Sequence, residues 1–172
     1  MLAEKAAWAF VAGEKPNFQL TVINNTYTFG PIQRGLLNLE AMNASNHYIR
    51  DMVQGKLHDA LPPTLPVFTF VDVRDVALAH VRALTAPDAG GKRIYVVGGH
   101  YSTKRIADIL RKRFPNLAPT LPPEDAEDDL PDDVYGFDNS RSRRVLDLTY
   151  RSLEESVVDT ATSILSWIDK HG

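Results

Sequence analysis

The stretch Val67-Phe68-Thr69-Phe70-Val71-Asp72-Val73-Arg74-Asp75-Val76-Ala77 joins two kinds of local order with no linker between them. Residues 67–71 are mostly β-branched or aromatic, the composition of a short strand. Asp72 then offers a carboxylate to the free N–H groups that open a helix. On that helix Val73, Val76, Ala77, His80, Val81 and Leu84 recur as one stripe, which predicts a buried face with His80 hydrogen-bonded in the core. Pro87 and the Gly90-Gly91 turn end it. A strand running directly into a capped helix is the building unit of an α/β protein.

The same unit recurs on both sides. Toward the C-terminus, residues 93–97 read as a strand, and Gly98-Gly99 reads as the turn into a helix capped by Ser102 and carrying Ile106, Ile109 and Leu110 as far as Pro115. The last helix opens on the capping box Ser152-x-x-Glu155 and would bury Leu153, Val157, Ala161, Ile164 and Ile168. Toward the N-terminus, proline-rich 61–66 must be extended or irregular. Before it lies a helix over about 45–54, with Ile49, Met52 and Val53 apolar and Gly55 as its stop. Residues 18–23 have the composition of a strand buried on both faces. They follow an opening helix (Leu2, Ala3, Ala6, Ala7, Phe10, Val11) that shows no cap before it and ends at Gly13 and Pro16. Three convincing strands are too few to surround an interior strand, so the sheet reads as incomplete.

Composition narrows the function classes. The chain has 172 residues, 44% hydrophobic and 24% charged, which suffices for a core and excludes whole-chain disorder. With no cysteine there is no disulfide, thiol nucleophile or cysteine-ligated metal. A net charge of −3 gives no general attraction to nucleic acid or anionic membrane, and no apolar run approaches the ~20 residues of a membrane span. A cytoplasmic protein is the expectation. The five histidines show no ligand spacing, and no serine lies in a Gly-x-Ser-x-Gly elbow. Neither a dinucleotide nor a triphosphate glycine loop is encoded. Four prolines and seven acidic residues between 119 and 133 read as a solvated loop rather than a metal site. The clusters Arg111-Lys112-Arg113 and Arg141, Arg143, Arg144 read as solvated helix faces.

Four segments in order resemble the extended short-chain dehydrogenase/reductase family, the NAD-dependent epimerase/dehydratase group, in its ketoreductase, aldehyde reductase and dihydroflavonol reductase branch. Residues 2–8, Leu-Ala-Glu-Lys-Ala-Ala-Trp, resemble the helix that follows the family's catalytic Tyr-x-x-x-Lys. Residues 21–31, Thr-Val-Ile-Asn-Asn-Thr-Tyr-Thr-Phe-Gly-Pro, are similar to the strand and loop beneath the nicotinamide. Asn43-Ala44-Ser45-Asn46 resembles the family's Asn-Thr-Ser segment, and residues 70–77 its Val-Asp-Val-Arg-Asp-Val-Ala signature.

The resemblance implies the C-terminal part of an NAD(P)-binding Rossmann-like fold plus the substrate-binding lobe, without the N-terminal βαβ units. On this reading, 1–172 is one partial domain, with 1–31 ending the cofactor domain and 32–172 mostly substrate lobe. It implies NADP or NAD as cofactor, with Thr28 and Ser45 on the cofactor and Tyr27 and Phe70 near the substrate pocket. Asp72 and Arg74 are expected to be structural. The glycine-rich loop and the catalytic Ser, Tyr and Lys belong to the other half, and Met1 stands just after the position of that Lys. Two departures stand out. Asn25 replaces the family's proline, and Asp147 stands where relatives often carry glycine.

The leading expectation is therefore the substrate-lobe half of a carbonyl oxidoreductase, a truncated product or an incomplete gene model, inactive alone and without saturable cofactor binding. Its partners would be a small carbonyl substrate in the complete fold, with no nucleic acid and no membrane. The rival is a non-catalytic binding or regulatory protein docking on a full-length relative or a separate N-terminal half.

Overall fold

The computed structural model describes residues 2–33 and 35–171. The opening helix α1 (Leu2–Glu14) ends where Lys15 takes φ +45° ahead of Pro16, and none of its residues is buried. Strand β1 (Val22–Asn25) starts later than residues 18–23 imply. Phe18 is 58% exposed and β1 is half-buried, not interior, because β1 pairs on one side only among the described residues. After β2 (Tyr27–Phe29) come 3₁₀ turns at Leu39–Ala41 and Ala44–Asn46, then α2 (His47–Val53), which stops at Gly55 with φ +73°. Buried Arg50 on α2 donates to the Leu39 carbonyl (3.2 Å) and pairs with Glu40 (2.9 Å) and Asp51 (2.8 Å), locking the first turn to the helix.

Strand β3 (Thr69–Asp72) runs straight into α3 (Val73–Ala83), with Asp72 accepting from the Arg74 N–H as anticipated. Here the stripe read from the sequence is wrong. Val73, Ala77, His80, Val81 and Leu84 face outward, and the inward face is Asp75 and Ala79. The cause is an ion pair that no periodicity shows. The Asp75 carboxylate accepts from the Arg151 backbone N–H (2.9 Å) and from its guanidinium, which carries a charged group inward and turns the apolar stripe out. His80 is exposed and merely donates from Nδ1 to the Val76 carbonyl (2.8 Å).

Then follow β4 (Arg93–Val96), β5 (Gly99–His100), α4 (Thr103–Arg113), a 3₁₀ segment at Pro115–Thr120, α5 (Ser140–Leu146) and α6 (Leu153–His171). The Gly98-Gly99 turn is thus partly a strand, paired antiparallel with β3. Ser102 caps α4 by accepting from Arg105 N–H. The Ser152–Glu155 box closes both ways, at 3.2 and 2.9 Å.

Strands β1 and β4 pair in parallel, Val22 opposite Arg93. A second sheet has the order β2-β3-β5, with β2 and β3 parallel and Tyr27 opposite Phe70. Because side chains alternate across a strand, β3 serves two cores. Phe70 enters the larger one with Phe29, Ile49, Tyr101, Leu110 and Ile164. Val71 enters the smaller one with Ile94, Val96, Leu146 and Leu148 beneath β1 and β4. Among the described residues, no helix is long and apolar enough to cross a membrane.

Candidate functional site

The site grows from the turn after β2. Gly30 has φ +132°, and a Cβ there would lie 2.6 Å from the Val73 Cγ1 atom, so the chain can pass over the β3–α3 junction only as glycine. Two bonds fix it. The Gly30 N–H donates to Thr160 Oγ1 on α6 (2.9 Å), and its carbonyl accepts from Asn46 Nδ2 (2.9 Å). Below it, Asp72 is fully buried yet paired: Arg74 reaches both of its oxygens (2.8 Å each) and Ser156 Oγ donates to one (2.8 Å). Burial alone would raise that carboxyl, but the Arg74 and Ser156 hydrogen bonds outweigh it and hold the group below the usual carboxylate range. Arg74 also pairs with Asp159 (2.6 Å). Asp72 and Arg74 are the scaffold of the site.

On this scaffold, Asn43 Nδ2 (3.0 Å) and Ser45 Oγ both donate to the Thr28 carbonyl. Asn25 Nδ2 donates to Thr28 Oγ1 (2.9 Å), which itself donates to the Thr26 carbonyl (2.9 Å). These groups form the rim of a cleft of about 1020 Å³. Among the described residues its lining is uncharged, and it includes Ile32, Leu36, Met42 and the rings of Tyr27, Tyr95 and Tyr135.

Of the residues singled out by sequence, Thr28, Ser45 and Tyr27 meet on this cleft. Phe70 does not line it. It is 2% exposed, 6.1 Å from the Phe29 ring in the core. Burial raises the Tyr27 phenol above its usual range. Asn46 and Tyr135 were not singled out as site residues. Asn46 was visible only as part of a polar segment, and Tyr135 follows the acidic, proline-rich stretch with no motif around it. That stretch is largely exposed but fastened, since Asp129 accepts from Thr64 N–H and Oγ1 (2.6 Å each). Met1, placed by resemblance beside the catalytic Lys, lies outside the described residues.

No protein-family model matches the chain. It is 50% identical over 165 residues to the ketoreductase azaE of Aspergillus niger, covering 96% of this chain and 49% of that protein. To the NADPH-dependent methylglyoxal reductase GRE2 of Saccharomyces cerevisiae it is 30% identical over 169 residues, 96% of this chain and 49% of the relative. The crystal structure of Gre2 in complex with NADPH from Candida albicans superposes with TM-score 0.84 at 32% identity, covering 99% of this chain and 50% of that one. The chain's homologues are ketoreductases and methylglyoxal reductases of the short-chain dehydrogenase/reductase family. The chain spans about half the length of the curated relatives it matches, corresponding to the C-terminal half of the family's fold.

Within this reductase fold, the residues present suit one end of a dinucleotide. The uncharged amide and hydroxyls of Thr28, Asn43 and Ser45 are of the kind that would suit an uncharged, hydrogen-bonding ring system. A pyrophosphate calls instead for clustered backbone N–H groups or cations, and no described side chain lining the cleft is charged.

Proposed function

We propose that the chain supplies the substrate-binding half of an NAD(P)H-dependent carbonyl reductase and does not turn over by itself. The observation that carries this reading is the convergence of Asn43 and Ser45 on the Thr28 carbonyl at the rim of a cleft whose lining, among the described residues, is uncharged. Thr28 and Ser45 would hold the nicotinamide end, and Tyr27 would form part of the substrate wall. A bound nicotinamide supplies hydride.

On this reading Tyr27, the phenol that β2 brings to the cleft, does not supply the accompanying proton. A phenol acting near neutral pH needs its pKa lowered, normally by an adjacent cation. Tyr27 is shifted the other way by burial. An assay of the chain with NADPH or NADH and a panel of ketones and aldehydes tests this. No turnover is expected, and enzyme-like turnover would refute the incomplete-site reading.

One feature favours a second reading, a non-catalytic protein that docks on a full-length relative or a separate N-terminal half. Helix α1 buries none of its residues, and Val81 (62%) on α3 and Leu84 (86%) at its C-terminal cap are strongly exposed. Adding an N-terminal half of the Aspergillus niger ketoreductase and measuring size by light scattering would separate the two. Both readings expect a complex, but only the reductase reading expects that complex to consume NADPH with a carbonyl substrate.

A further inference from the structure

We propose that the face of the β1–β4 pair turned away from the smaller core carries an anion site, formed by Arg93 and Arg141, for a single phosphate group, free or as a monoester. The site lies outside the cleft and does not depend on the reductase reading.

Strand alternation creates it. On β4, Ile94 and Val96 enter the smaller core, so Arg93 and Tyr95 stand on the opposite face, and the parallel register sets Asn24 of β1 beside Tyr95. With Asn25 and Arg141 these residues line a pocket of about 550 Å³, which meets the cleft at Asn25 and Tyr95.

Both guanidinium groups are fixed in advance. Arg141 is exposed on α5, yet its Nη1 turns back to donate to the Arg93 carbonyl (2.8 Å). Arg93 Nε donates to Glu4 Oε1 on α1 (2.7 Å), and its Nη2 reaches Asn24 Oδ1 (3.4 Å). Among the described residues, Nη1 of Arg93 and Nε and Nη2 of Arg141 have no partner, so donors remain on both arginines.

The local charge is positive. Among the described residues the lining holds these two cations and no carboxylate. Glu4 offsets Arg93, but Arg141 is not matched in this way. The nearby Asp138 carboxylate accepts from the Ser140 N–H (2.8 Å), and Arg141 pairs with no acid among the described residues. On α4, by contrast, Arg105 pairs with Asp128 and Arg113 with Glu154. A planar carboxylate is satisfied by one guanidinium fork, whereas a tetrahedral phosphate presents oxygens in several directions and can engage two arginines together.

Titrating the 172-residue chain with inorganic phosphate, glycerol 1-phosphate and acetate tests this, read by amide NMR and calorimetry at fixed ionic strength and about pH 7.5, where phosphate is mostly dianionic. Both phosphates should saturate and shift the amide signals of Asn24, Tyr95 and Arg141, with acetate at least about tenfold weaker. The tighter of the two phosphates tells whether the free or the esterified form is preferred. Arg141→Gln should weaken phosphate binding about tenfold, and Arg113→Gln, which removes the same charge elsewhere on the surface, should leave it unchanged. Absence of saturation, acetate binding as tightly as phosphate, or equal effects of the two substitutions would overturn the proposal. Should Arg141→Gln fail to fold, the parent chain decides by itself: phosphate shifts confined to Arg111, Lys112 and Arg113 would overturn the site, and shifts at Asn24, Tyr95 and Arg141 would support it.

Discussion

Replacing Arg74 with methionine would keep most of its aliphatic volume and remove the charge that faces Asp72. Asp72 is fully buried at the β3–α3 junction beneath Gly30, and would retain only Ser156 Oγ and the Arg74 N–H as donors. Stranding a buried carboxylate costs about 3–5 kcal/mol. The Arg74 side chain is 34% exposed, so water can replace part of it, which places the expected loss near the lower bound, about 3 kcal/mol. That is a large share of the ~5–15 kcal/mol available to a domain.

The pH dependence should reverse sign. In the parent chain the Asp72 carboxyl is held low, so its contribution is fully present above the unfolded value near 3.8 and is lost as pH falls through the lower folded value. In the variant, desolvation, the largest influence on this carboxyl, is opposed only by the Ser156 and residue-74 N–H hydrogen bonds and raises the folded pKa above the unfolded one. Its destabilisation should therefore ease as pH falls from about 7 to about 5. Asp72→Asn combined with Arg74→Met should recover at least about 1 kcal/mol relative to Arg74→Met alone. Urea melts at both pH values measure all three. A loss under about 1 kcal/mol, or a variant that weakens further on mild acidification, would refute the reasoning.

Asp147 sits at the end of α5 with φ +48° and ψ +41°, the left-handed geometry that suits glycine. Asp147→Gly should stabilise the chain by about 0.5 kcal/mol, the strain relieved less the added freedom of the unfolded glycine. The Arg82 bond to the Leu146 carbonyl remains, and a thermal melt unchanged or lowered would count against this. In a chimaera that joins the N-terminal half of the Aspergillus niger ketoreductase to this chain, Asn25→Pro should tighten NADPH binding by restoring a fixed φ. An unchanged dissociation constant would sink that expectation. Asn46→Ala leaves the buried Gly30 carbonyl without its donor and should cost about 1–3 kcal/mol, read from the same urea melts.

What was legible in the sequence was local. Asp72, Ser102 and the Ser152–Glu155 box are caps whose geometry depends on three or four adjacent residues, and all three form as read. The glycine-like position of Asp147 is of the same kind. Strands β2 and β5, of three and two residues, are too short to show periodicity and exist because β3 lies between them. The α3 stripe misled because hydrophobic spacing cannot see the Asp75–Arg151 pair, 76 residues apart, that decides which face turns inward. Tyr27 and Thr28 are neighbours on β2, and Ser45, 17 residues later on its own 3₁₀ turn, joins them through its bond to the Thr28 carbonyl. The strand's alternation sends Phe70 into the core, which its place in the motif does not show, and Tyr135 is tied in by tertiary bonds to Phe68 and His100.

The most direct test of the account is turnover by the chimaera described above, compared with this chain alone under identical conditions. Ketone-dependent loss of NADPH absorbance in the chimaera, and none in the chain, is the predicted result. A folded chimaera that binds NADPH but reduces no carbonyl compound, or a chain that turns over unaided, would contradict it.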